Sequence, residues 1–175
     1  MTLWRPFLIF AVLGLVPTVA SAQLEDRRPF AWDVARAVLI DPTTYAPAII
    51  SYEALRQDWK ASQRLFASGW VEKNPRYTIS GRPNDVPVSY DEGIRRIRHT
   101  SLVVLQYSVI NNAAAGVAER LLNERHPDRK TLIRAKSWIE RIAFASILAY
   151  SNSADHWRQA SANRRLALEY AYAIR

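Results

Sequence analysis

The segment LQYSVINNAAAGVAERLL, Leu105 to Leu122, decides how the chain is read, because it sets two adjacent asparagines and a glycine inside an otherwise apolar helical pattern. Consecutive side chains on a helix point about 100° apart, so Asn112 shares a face with Leu105, Val109 and Gly116 while Asn111 points toward an adjoining groove. A buried amide needs a hydrogen-bond partner. Gly116, one turn beyond Asn112, leaves room for a neighbouring backbone. Together they predict a close helix crossing latched by an amide.

The same region sets a second choice. Ser101 to Ala118 carries no charge, and about 18 such residues meet the length requirement for a membrane-spanning helix. Gln106, Asn111 and Asn112 weigh against a span, since each amide in hydrocarbon must find a partner or carry a desolvation cost. The preferred reading is a central helix wrapped by its neighbours in water.

Working outward, apolar residues recur at helical spacing from about Phe30 onward and strict alternation is nearly absent, so the expected fold class is all-α, a bundle-like domain of about five helices. A first helix covers Phe30 to Ile40. Asp41-Pro42 supplies an N-cap followed by a proline, with Pro47 moving the start of the second helix to about Ala46. That helix runs to about Ser68, with Gly69 as its terminator and Tyr45, Ile49, Tyr52, Arg56, Trp59, Gln63 and Phe66 as its inward stripe. Trp70 to Val88 contains three prolines and a glycine and reads as a long loop, with a small hairpin around SGRPND. Ser89 and Glu92 form a capping box opening a third helix to about Glu124. Such a helix would be roughly 50 Å long, so a bend or irregularity is expected near Asn111 to Gly116. Asp128 caps a fourth helix to about Tyr150, and the polar run SNSAD separates it from a fifth, about Ser153 to Tyr172.

Met1 to Ala22 has one cation, Arg5, an apolar run and a small-x-small ending at Ala20-Ser21-Ala22, which is the pattern of a cleaved secretory signal peptide. Residues 23–175 then form the helical domain, exported to the periplasm or beyond the cell, with membrane association as a further option. There are no cysteines, so neither disulfides nor lipoprotein attachment can hold it. The net charge of +8 falls to +7 once Arg5 leaves with the leader. This favours anionic envelope partners, lipid or polysaccharide. The cations are dispersed rather than blocked, which argues against specific nucleic-acid binding.

Chemistry-bearing motifs are sparse. His99, His126 and His156 lie on different elements with no Glu-x-x-His pair, so no metal site and no cofactor is expected. Ser153, Asp155 and His156 are close in sequence, but Asp155 points away on a helix and no triad follows. There is no phosphate loop, dinucleotide turn or nucleophile elbow. What remains is an interior polar set: Glu53, Arg56, Asn111, Asn112, Glu140, Arg141 and His156. Buried charges of this kind pair, and paired polar groups more often fix helix register than catalyse. The sequence therefore weighs against an enzyme and toward an envelope protein that binds or scaffolds. A small envelope hydrolase or lipid-modifying enzyme, with Arg56, Glu53, Glu140 and His156 in its site, is the first alternative. An integral membrane protein is the second.

Overall fold

The computed structural model describes residues 29–173, and the signal peptide expected over residues 1–22 lies outside them. Among the described residues four α-helices follow one another: α1 (Phe30–Leu39), α2 (Ala46–Ala67), α3 (Tyr90–Arg125) and α4 (Lys130–Ala173). Short 3-10 turns at Pro42–Thr44, Pro75–Tyr77 and Pro127–Arg129 join or precede them. Among the described residues there is no extended strand; two isolated bridges, Glu72 to Asp85 and Thr78 to Pro87, hold the long loop. The protein is all-α.

Local chemistry explains most boundaries. Asp41 caps the Pro42–Thr44 turn, its carboxylate accepting from the Thr43 amide at 2.9 Å, and α2 starts only at Ala46 with Pro47 in its first turn, where no amide hydrogen is needed. Its far end closes in a Schellman arrangement. The Gly69 amide reaches Phe66 O, the Trp70 amide reaches Leu65 O, and Gly69 takes φ +87°. Ser89 caps α3 through the Glu92 amide, whereas the Glu92 carboxylate turns to Arg95 and Arg96 instead of returning to the cap.

Three expectations are corrected. The fourth and fifth helices are one: α4 runs unbroken through SNSAD. Ser151, Asn152 and Ser153 bond back to the carbonyls of Leu148 and Ala149, so polar side chains satisfy themselves within the helix and no break is required. Likewise no local irregularity interrupts α3, which stays α-helical through Asn111–Gly116. The Asn112 amide is directed to another element rather than competing with its own backbone.

The third correction concerns α2, which is rotated from the expected stripe. Ser51, Ala54, Leu55, Trp59, Ser62 and Leu65 are buried, while Tyr45 and Ile49 are exposed. Large side chains dominate a hydrophobic pattern, but small ones let long helices approach, and α2 makes its most extensive contact with α4. Among the described residues a compact apolar cluster gathers Leu55, Trp59, Tyr77, Val88 and Ile97, with Tyr52, Phe66 and Ile94 at its edge. Trp59 is its hub, packing on Phe66 and Tyr77 at 5.5 and 5.4 Å between centroids and donating to Tyr90 O.

α3 touches α1, α2 and α4, yet it is not wrapped on all sides. Its buried face is Ser101, Val104, Ser108, Asn112 and Gly116, and Leu102, Tyr107 and Ile110 look outward. Only 28% of its most apolar window is buried, although its length and composition would let it cross a membrane.

Candidate functional site

Two polar clusters stand out, one closed and one open. The closed cluster joins the Pro42–Thr44 turn to α3 and α4. Asn112, 1% exposed, donates to Thr44 Oγ1 at 2.7 Å and Thr43 Oγ1 at 2.9 Å. Thr43 in turn donates to Asp41 at 2.7 Å. The other Asp41 oxygen lies 3.3 Å from Arg141, which also reaches Glu119 at 3.3 Å. Asn111 sits beside this chain, donating to Asn112 Oδ1 at 3.3 Å.

Helix α1 closes over the same place. A Cβ added to Gly116 would lie 2.9 Å from Ala37 Cβ, so the glycine is what lets α1 approach, and Arg120 ties Asp33 of α1 at 2.7 Å. Asn112 and Arg141 are buried and each charge has an opposite one beside it, although Arg141 Nε is left without a hydrogen-bond partner. The cluster fixes the register of three elements.

The open cluster lies between α2, α4 and the long loop. His156 Nδ1 is 2.8 Å from Asp58 Oδ2, and Asn163 donates to the other Asp58 oxygen at 3.2 Å and to Ser62 Oγ at 2.9 Å. The Asp58 carboxylate is thus held from two sides, by His156 of α4 and by Asn163 further along the same helix. A recess of about 100 Å³ opens here, lined by Asp58, Glu72, Tyr77 and His156 among others. It adjoins a wider groove of about 400 Å³ that shares His156 and adds Arg76, Thr100 and Asn152.

Burial pushes the Glu72 carboxyl above its ordinary range and the nearby Asp58 charge acts in the same sense, against the lowering effect of the Asn74 and Lys73 amides. Burial also raises the Tyr77 phenol. The loop that carries both is pinned: the Arg96 guanidinium donates to Arg76 O at 2.6 Å, and Thr78 Oγ1 donates to Arg82 O at 2.8 Å. Chemically, the recess brings the His156 imidazole together with a carboxyl that holds its proton more readily than usual.

The residues singled out from the sequence are thus dispersed. Asn111, Asn112 and Arg141 belong to the latch, and His156 to the recess. Glu53 and Arg56 form a half-exposed pair at 2.9 Å on the flank of α2, where hydrogen bonds from Arg56 and Gln57 hold the Glu53 carboxyl below its ordinary value. Arg56 is therefore not an interior cation. Glu140 is exposed and near Lys136 at 3.9 Å, pointing away from its neighbour Arg141. Ser153 bonds to Ala149 O and Asp155 pairs with Arg158, so neither completes a triad with His156. Among the described residues no group of three or more His, Cys, Asp or Glu side chains could hold a metal ion.

Sequence reasoning missed Asp58, Glu72 and Asn163 in the recess, and Asp41, Thr43, Thr44 and Glu119 as partners in the latch. Asp58 and His156 are 98 positions apart, and Asn112 and Thr44 are 68 apart, so no local spacing links them. No family model, curated protein or solved structure matches the chain. Fold and clusters together define an all-α protein with a closed polar latch and a shallow His–Asp recess.

Proposed function

We propose that this is an exported cell-envelope protein, released from its signal peptide, whose role is to bind or scaffold anionic envelope components rather than to catalyse. One observation carries the reading: outside the His156 recess, the charged groups singled out as a possible catalytic set are closed on one another, as in Asp41–Arg141–Glu119, or lie at the surface, as do Glu140 and the Glu53–Arg56 pair. Facing a partner is a cationic, aromatic-rich exterior on a chain whose net charge of +8 becomes +7 once Arg5 leaves with the leader.

The test is to express the full chain, fractionate the cells, and sediment the purified protein with acidic polysaccharide and with anionic lipid at low and high salt. Envelope location and retention that weakens with salt support the proposal. Cytoplasmic residence, or indifference to every anionic component, overturns it.

A second reading, a small envelope hydrolase or lipid-modifying enzyme, draws on the Asp58–His156 hydrogen bond at the recess. Turnover of ester or phosphoester substrates that disappears in His156→Ala, with the fold retained, would put it in place of the first. The remaining alternative, an integral membrane protein built on α3, would require the protein to resist extraction from membranes by alkaline wash.

A further inference from the structure

Helices α1 and α4 each pack on α3, and the groups buried there are small or polar: Ala37 on α1, Asn112 and Gly116 on α3, Arg141 and Ala145 on α4. Many of the large apolar side chains of these helices are exposed instead. Tyr107, Ile110 and Leu121 of α3 are exposed, Leu132 and Ile139 of α4 are 67% and 63% exposed, and Phe30 and Trp32 of α1 are exposed as well. In water that pattern leaves the hydrophobic driving force unused. Seams of small residues with polar cross-links are instead how helices associate when their outer surfaces meet lipid.

Charge chooses the occupant, because it is complementary to an anionic surface. The α3–α4 turn presents Arg125, Arg129 and Lys130, all exposed, and α4 adds Arg134 and Lys136 within its first two turns. Trp138 lies 54% exposed among them, an aromatic of the kind that sits at headgroup level. Asp128 and the exposed Glu140 limit the depth, because carboxylates are costly in hydrocarbon. The geometry therefore suits the interfacial layer rather than a span.

We propose that the end of the molecule formed by α1, the second half of α3 and the first half of α4 docks into the headgroup and upper acyl region of an anionic phospholipid bilayer. This rests on the envelope-binding reading above and names its partner.

The test is flotation of the full chain with vesicles of phosphatidylcholine alone or mixed with phosphatidylglycerol, beside a Leu132→Glu/Ile139→Glu variant. Leu132 and Ile139 are both largely exposed, so the variant should keep its circular dichroism and melting temperature. The wild type should float with the mixed vesicles and little with the neutral ones, and the variant should lose binding by at least about tenfold. Equal binding by wild type and variant overturns the proposal. So does a wild-type dimer that ignores vesicles and becomes monomeric in the variant, which would give the face to a second copy. Salt-sensitive retention on acidic polysaccharide with no vesicle binding overturns the bilayer assignment while leaving the envelope-binding function standing; binding to neither removes both.

Discussion

Asn112 and Asn111 are chemically identical neighbours whose surroundings make them unequal. Asn112 is buried and donates to two threonine hydroxyls across elements, while Asn111 is part-buried and donates only to its neighbour. Asn112→Ala removes three hydrogen bonds, two donated to the threonines and one accepted from Asn111, and leaves a void, and about 2–3 kcal/mol of stability should go with it. Asn111→Ala should cost less than about 1 kcal/mol, on the value of a single hydrogen bond. Urea unfolding of the two variants checks the order. Arg141 and Glu140 form a second contrasting pair. Arg141→Met strands Asp41 and Glu119 in a buried place and should destabilise by about 3–5 kcal/mol. Glu140→Gln touches only an exposed contact to Lys136 and should stay within about 0.5 kcal/mol of the wild type in the same measurement.

At the scale of elements, the crossing of α2 and α3 depends on Gly93. The Trp59 indole lies so flat on that glycine that a Cβ there would come within 2.2 Å of its ring. Alanine is the better helix former, yet Gly93→Ala must push the indole off Phe66, Tyr77 and the Tyr90 carbonyl. The overpacking should outweigh the gain in propensity, with a net loss of about 1–3 kcal/mol and a lower melting temperature. The unbroken α4 teaches the converse lesson. A run of serine and asparagine marks a break only when its side chains have nothing better to do than leave the helix, and here each finds a carbonyl one turn back.

For the whole molecule, Glu72 links the recess to the pH dependence of stability. Its folded carboxyl is raised above the ordinary value of 4.5, chiefly by burial. The folded state thus binds this proton more tightly than the unfolded chain does. The associated stabilisation is complete below pH 4.5 and is lost as pH rises through the folded value. Glu72→Gln keeps an oxygen for the Asn74 amide but has no charge to bury. It should therefore be more stable than the wild type at neutral pH, with a flatter stability profile across the mildly acidic range, as thermal melts at several pH values would show. An inverted or unchanged profile would mean that Glu72 is solvated in solution.

Residue spacing alone determined that the chain is helical, where α1, α2 and α3 begin and end to within a few residues, that Gly69 terminates α2, and that the loop between α2 and α3 is long and proline-bearing. Those are short-range matters of caps, proline geometry and periodicity, and local sequence contains them. Tertiary structure alone decided that α4 is one helix, that α2 turns Ser51 and Ser62 rather than Arg56 inward, and that Asp58 and Glu72 stand beside His156. It also decided that the uncharged middle of α3 keeps an open face. Each depends on which side chain meets which across distant stretches of chain, and on how closely small residues allow two helices to pack, and neither is written in the spacing along one segment.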